Sequence, residues 1–332
     1  MSFSSRRFAA LAVAALSTIV LAGCGQAVSE TTDVKPADSG FPVVLDNCGT
    51  QVTIDEAPKQ VVTIKSTSTE LLLALGLGDK IVGQAFSDGP VPDEWADEAK
   101  SIETLSDKAP SQEVVLAKSP DFVLAGWESN LSADTAGERD LLAKLGVNTY
   151  VSPAACKEKK YQPKKLTFDH VFAQVQEVGR IFEASAEADA LIAAQKKQLA
   201  GVQKAKSGTS ALWFSSGSDL PFVGAGIGAP QMVLEELGME NIAADVQDTW
   251  TSMSWEKIAD ANPDVIVLVD ATWNSAKKKI DYLRSHPVTA ELDAVKNGYF
   301  VTVPFPASEA GVRTAPATAE MGLQLSELGL AR

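Results

Sequence analysis

One arrangement of polar and apolar positions occurs twice along the chain. The first copy is Ser111-Gln-Glu113-Val-Val-Leu-Ala-Lys-Ser-Pro120-Asp121-Phe-Val-Leu-Ala, and the second is Ser254-Trp-Glu256-Lys-Ile-Ala-Asp-Ala-Asn-Pro263-Asp264-Val-Ile-Val-Leu. Ser, Glu, Pro and Asp keep their spacing, and each copy predicts a short helix, a Pro-Asp turn and a buried strand. The leading serine caps a helix, and the glutamate two residues on sits in its electropositive first turn. Proline stops the helix, and the unbroken apolar run after it suits a parallel strand covered on both faces. One copy would describe any αβ unit. Two copies, each within its own α/β stretch, predict two similar lobes with a cleft between them, an architecture for gripping a ligand.

The same periodicities place the remaining elements. Pro42–Leu45 and Gln51–Ile54 read as a hairpin around Asp46-Asn47-Cys48-Gly49. Val61–Ile64 is a buried strand leading into Lys65-Ser66-Thr67-Ser68-Thr69-Glu70 and a helix over Leu71–Leu77, with Thr67 and Glu70 spaced as a capping box. Lys80–Gly83 begins a strand, residues 84–110 read mostly as loop, Gly137–Leu145 is helical and Val147–Val151 is a strand. Phe168–Gly179 and Ala184–Lys206 set apolar residues at steps of three and four among helix formers. One long helix here joins the lobes, or a pair of helices packs on one of them. The second lobe starts at Ser210 with strand Ala211–Phe214. A glycine-rich turn, Gly224–Gln231, then enters helix Met232–Leu237, with Pro230 placed for a first turn. Thr289–Lys296 is helical, Tyr299–Val303 is a strand, and a last helix ends near Leu328.

Composition changes the picture at the amino terminus. The 332 residues are 45% apolar, enough for two ordinary domains. A formal charge of −14 argues against a nucleic-acid surface and mostly signals solubility. Arg6 and Arg7 precede an apolar run, Phe8–Val20, that is short for a membrane span. Leu21-Ala22-Gly23-Cys24 follows and resembles the bacterial lipobox, in which the chain is cleaved before a cysteine that becomes lipidated. Residues 1–23 are therefore expected to be a lipoprotein signal peptide, whose loss takes the side-chain charge from −14 to −16. Small polar residues over 24–40 suit a flexible tether reaching roughly 20 Å. With Cys24 used by lipid, Cys48 and Cys156 remain, an even pair outside the reducing cytosol. They are expected to form a disulfide, or else stay as two thiols that never meet.

Enzyme chemistry is poorly supplied. His170 and His286 are the only histidines, no Gly-x-Ser-x-Gly elbow occurs, and a zinc site built from several histidines is impossible. Both histidines read as helix-end or surface residues. Gly224, Gly226 and Gly228 lack the dinucleotide spacing and no Gly-Lys-Ser/Thr follows them, which leaves a weak general anion site at a helix start. Binding chemistry is better supplied. Trp127 follows the strand of the first copy and lies where ligands sit in a doubly wound sheet, outside the carboxyl ends of strands. Trp250 precedes the helix of the second copy. Lys65, Ser66, Thr67 and Ser68 occupy a strand-to-helix crevice, and Arg313, in a Pro- and Gly-containing loop, is a candidate anion clamp. Core packing, simple capping and a surface ion pair are the plain alternatives for these residues.

The lipobox, Val61-Val-Thr-Ile64 before a helix ending Ala74-Leu-Gly-Leu-Gly78, both Pro-Asp strands and Met239-Glu-Asn-Ile-Ala243 resemble the substrate-binding lipoproteins of ABC importers for iron-siderophore, haem and cobalamin. The resemblance spans about residues 42–325. It implies an α/β fold of two Rossmann-like lobes joined by a single long helix, Ala184–Lys206, with the ligand cleft between the lobes. The corresponding divisions are an N-terminal lobe over 41–167, a helical linker over 168–207 and a C-terminal lobe over 208–332. It implies tryptophans lining the cleft at the positions of Trp127 and Trp250. It also implies one permease-docking glutamate per lobe, matching Glu256 and, across a longer loop, Glu138, with Glu113 as the internal competitor. Lys65–Glu70, Gly126–Leu131, Ala154–Lys157, Asp248–Trp255 and Pro304–Arg313 are similar to an actinobacterial branch proposed to import a phospholactyl-deazaflavin, a coenzyme precursor. The expected protein is thus a lipid-anchored, monomeric, extracytoplasmic binder, without catalysis, cofactor or metal, that hands a small anionic aromatic ligand to a permease. A ferric-siderophore, haem or cobalamin binder is the alternative within that class. A secreted hydrolase, and a chelatase-like or sensory module, are the alternatives outside it.

Overall fold

The computed structural model describes residues Gly40–Arg332. The expected signal peptide, nearly all of the expected tether and Cys24 lie outside the described residues. No helix among the described residues is long and apolar enough to cross a membrane.

The chain opens with an antiparallel hairpin, β1 (Val43–Asn47) and β2 (Thr50–Ile54). The first lobe follows: β3 (Val61–Ile64), α1 (Ser66–Ala74), β4 (Ile81–Ala85), α2 (Ala96–Ala99), β5 (Thr104–Ser106), α3 (Gln112–Leu116), β6 (Phe122–Ala125), α4 (Arg139–Lys144) and β7 (Asn148–Val151). These strands form a parallel sheet in the order β5-β4-β3-β6-β7. The order reverses at β3, the doubly wound pattern that leaves a crevice at the carboxyl ends of β3 and β6.

Two helices come next, α5 (Phe168–Ile181) and α6 (Ser185–Ala200). The bridging helix is shorter than the expected Ala184–Lys206, because after Gly201 the chain turns to pair Lys206 N–H with the Leu330 carbonyl. Gly179 lets α6 approach α5, since a Cβ there would stand 2.6 Å from that of Ala188. Along α6, Ala188 and Ile192 enter the first core, while Leu199 touches both cores. The helix therefore spans from one lobe to the other.

The second lobe contains β8 (Ser210–Ser216), β9 (Phe222–Gly224), α7 (Ala229–Glu236), β10 (Glu240–Asn241), β11 (Trp250–Ser252), α8 (Trp255–Ala261), β12 (Val265–Asp270), α9 (Ala276–Ser285), α10 (Asp293–Asn297), β13 (Phe300–Pro304), α11 (Phe305–Ser308) and α12 (Thr314–Glu327). Its sheet runs β11-β9-β8-β12-β13. The β8, β12 and β13 strands are parallel, while β9 and β11 add antiparallel strands at one edge. Helix α9 was not foreseen: its Lys-Lys-Lys run hides a short apolar set of Ala276, Ile280, Tyr282 and Leu283.

The repeated motif performs the same task in both lobes. Ser111 accepts a hydrogen bond from Val114 N–H, and Ser254 from Lys257 N–H, so both helices carry their serine caps. The Asp121 carboxylate receives the N–H groups of Lys59 (2.8 Å) and Gln60 (3.0 Å), just before β3. Asp264 receives the Ser210 N–H and hydroxyl, both at 2.8 Å, at the start of β8. Each aspartate thus ties its own strand to the entry of the neighbouring one.

Candidate functional site

The carboxyl ends of the two sheets face one cavity of about 390 Å³. Gly126 sets its first wall. A Cβ there would lie 2.8 Å from both Lys65 Cβ and Thr67 Oγ1, so only glycine lets the exit of β6 press against the start of α1. That contact swings Trp127 over the Lys65 side chain. Its indole packs edge-on to Phe86 (5.8 Å), with the Lys65 ammonium 3.7 Å from the ring centre. The second lobe supplies Trp250, stacked on Phe222 at 5.7 Å with 15° between the rings. Trp127 and Trp250 therefore meet the same cavity from different lobes, joined by Thr67, Ser129, Ser152, Thr249 and Phe305.

The anion clamp expected from Lys65 and Arg313 is corrected. Lys65 is 1% exposed and pairs with Asp88, itself 3% exposed. Its backbone φ of 81° and ψ of 148° is a strained combination for a side-chain-bearing residue, held in place by the Lys65 N–H bond to the Ala85 carbonyl. Arg313 donates from Nε to Glu70 Oε2 at 2.9 Å and from Nη2 to the Pro90 carbonyl at 2.8 Å. Burial pushes the Glu70 carboxyl up to about 7, although the Arg313 charge pulls it down. Both cations are thus committed to buried carboxylates of the same chain. Ser66 and Ser68 are buried away from the cavity, and Ser66 hydrogen-bonds Asp88 N–H and Ser87. Of the crevice residues 65–68, Thr67 alone lines the cavity. The predicted Thr67–Glu70 capping box is absent because α1 starts earlier, with Lys65 at its cap, and Glu70 turns to Arg313.

Three N–H groups of the glycine-rich turn are used within the fold. The N–H groups of Ala225, Gly226 and Ile227 donate to the carbonyls of Thr249, Val246 and Asp248. They are not free for an anion. A Cβ at Gly226 would stand 2.1 Å from the Ala244 carbonyl oxygen, so glycine here serves close backbone packing.

Across the cleft runs the segment after β13. Glu309 Oε2 accepts the Trp127 Nε1–H at 3.0 Å, and Arg313 reaches Glu70 of α1. Val312 enters the first core, and its carbonyl accepts the Gln195 side-chain N–H from α6 at 2.7 Å. One segment thus closes the cleft with a hydrogen bond and an ion pair. Glu309 was missed in the sequence, since nothing local marks a carboxylate whose partner is far along the chain. Burial raises its pKa, opposed by the Trp127 hydrogen bond and the Lys65 charge.

Cys48 and Cys156 are joined in a disulfide that fastens the hairpin to the segment beyond β7. Cys156 and Lys157 both line the cavity, and Lys157 is exposed. Arg139, buried beside Glu138 at the N-cap position of α4, binds the Asn47 carbonyl and side chain, which pins the hairpin independently. Glu138, Glu256 and Glu113 are all exposed on helix starts. The Glu256 carboxyl is held below its ordinary range by its own N–H and by Ser254. His170 caps α5 through Thr167, and His286 follows α9 beside Trp255 and Tyr282.

A family model described as "Periplasmic binding protein" matches residues 61–307. The chain is 31% identical over 295 residues to the uncharacterized ABC transporter substrate-binding lipoprotein YvrC of Bacillus subtilis, covering 85% of both chains. It is 28% identical to a cobalamin-binding protein of Halobacterium salinarum over 79% of this chain and 68% of that one. Among solved structures, a protein of an ABC-type Fe3+-hydroxamate transport system from Saccharomonospora viridis superposes with a TM-score of 0.73. That match has 25% identity and covers 86% of this chain and 99% of the other.

Proposed function

The chain belongs to the periplasmic binding protein family, as a solute-binding rather than enzymatic component of an ABC importer, and from that membership we propose that it captures a flat-ring ligand between its lobes. One observation carries the reading: Trp127 and Trp250, contributed by different lobes, face one cavity of about 390 Å³. A planar ligand between two indoles gains apolar burial plus about 0.5–1.5 kcal/mol per stack. The phospholactyl-deazaflavin is the first choice, on the resemblance of the cleft segments to that branch. Its phosphate meets Lys157 and the hydroxyls of Ser129 and Thr249, in place of Lys65 and Arg313. The cobalamin-binding relative and the hydroxamate-transport structure support cobalamin or a ferric siderophore as the second reading.

Titration of the purified protein with the deazaflavin precursor, cobalamin, haem and ferric hydroxamates separates these. The expected result is saturable binding of the deazaflavin, weakened about thirtyfold or more by Trp127→Ala, the size of an interface hot spot. Saturation by a siderophore or cobalamin, with none by the deazaflavin, would replace the first choice and keep the family.

The anchor is proposed at Cys24, in line with the lipoprotein relative, with the monomer held at the outer face of the cell membrane. Glu138 and Glu256, exposed on different lobes, are proposed to meet permease arginines. Each alanine variant should lower uptake in cells and leave the affinity for ligand within about twofold, because a rim charge acts on docking. A tenfold loss of ligand affinity in either variant would move that glutamate from docking to the cleft.

A further inference from the structure

The cavity wall carries two charged side chains, Lys157 and Glu309. Lys157 is exposed, whereas Glu309 is half-buried beside Trp127. Glu309 is held from both ends. Its carbonyl accepts the Thr314 hydroxyl at 2.7 Å, and its Oε2 accepts the Trp127 Nε1–H at 3.0 Å. Among the described residues, Oε1 has no hydrogen-bond partner. A fixed carboxyl oxygen therefore stands at the edge of the indole on which a ring would stack. With Oε2 taken by the indole N–H, Oε1 is the open acceptor of this carboxyl. A ligand edge bearing N–H would complete a hydrogen bond there, and an edge bearing only acceptors would leave it unmade.

We propose that Glu309 is the specificity-determining residue of the cleft. Its Oε1 takes a neutral N–H of imide or lactam type from the edge of the flat ring, and the exposed Lys157 takes the anionic tail of the ligand. The inference rests on the flat-ring reading above. It also explains how an acidic chain whose Lys65 and Arg313 are neutralised internally can hold an anionic ligand in one orientation: Glu309 and Lys157 take its two ends.

The test uses two probes, a deazaflavin phosphate with a free ring imide and the same compound methylated at the imide nitrogen. Each is titrated by fluorescence into the wild-type protein, Glu309→Gln and Glu309→Ala. Glu309→Gln keeps an oxygen for Trp127 and preserves the side-chain volume, so a folding defect in the alanine variant does not decide the result. The wild type should bind the free imide at least about tenfold more tightly than the methylated probe, about 1.4 kcal/mol. Both variants should lose that preference, mainly by weaker binding of the free imide. Equal binding of the two probes by the wild type, or a preference that survives in both variants, overturns the role of Glu309 alone. Failure of the wild type to bind either probe overturns it together with the deazaflavin reading.

Discussion

Replacing Lys65 with methionine should lower the unfolding free energy by about 3–5 kcal/mol, the cost of removing one partner from a buried ion pair. Methionine keeps most of the stem volume, so the loss reports on charge. The variant leaves Asp88, 3% exposed, without its counter-ion. Burial already raises the Asp88 carboxyl above its ordinary range, and Lys65 is the strongest influence pulling it back. Without Lys65 it rises further. A carboxyl whose folded pKa exceeds its unfolded value prefers the fold when protonated. Its penalty is absent below the unfolded pKa, grows as pH climbs from the unfolded value to the folded one, and is complete above that. The deficit of Lys65→Met should therefore be smaller near pH 5 than near pH 8. Urea unfolding at both values measures it. A loss under about 1 kcal/mol at the higher pH, or no pH dependence, would mean that the pair is weak. Adding Asp88→Asn should recover part of the loss, because the orphaned charge is then gone. Trp127 should also become less ordered in the single variant, since the ammonium lies 3.7 Å from its ring centre.

Removing the disulfide is the second large effect. Cys48 and Cys156 are 108 residues apart, so the bond restricts a long loop of the unfolded chain. In the chain-entropy account, a loop near that length stabilises the fold by about 4–5 kcal/mol. The Cys48→Ser/Cys156→Ser protein should lose about that much. Its hairpin should nevertheless stay docked through Arg139, Asn47 and the Val151 carbonyl. Comparing urea midpoints of oxidised wild type, reduced wild type and the double variant tests this. Equal midpoints for the oxidised and reduced wild type would show that the bond adds nothing. The Cys156 end lines the cavity, so the double variant should also bind ligand more weakly than wild type at equal folded fraction.

The local elements were legible because their causes are local. Ser111 and Ser254 cap their helices through N–H groups three residues away, and Asp121 and Asp264 follow the prolines that stop those helices. Apolar runs such as Val61–Ile64 and Phe122–Ala125 announce strands buried on both faces, and all eight of these residues are buried. The placement of Trp127 beyond β6 followed from the rule for strand ends, and its indole does line the cavity. The pairing of the cysteines followed from count and compartment.

Only the tertiary structure decided where charge is spent. Lys65 finds Asp88 through the return of the chain after β4, and Arg313 finds Glu70 across 243 positions. An ion pair depends on distance and local dielectric, and neither is written in the spacing of residues along a chain. Lys65 and Arg313 therefore read in the sequence as free donors, although the fold neutralises both, and Glu309 gave no sign that it accepts the Trp127 indole N–H. Periodicity determined that two lobes form, because burying an apolar face is the demand of each segment alone. Which polar groups remain open to a ligand was settled only when segments far apart in the chain met across the cleft.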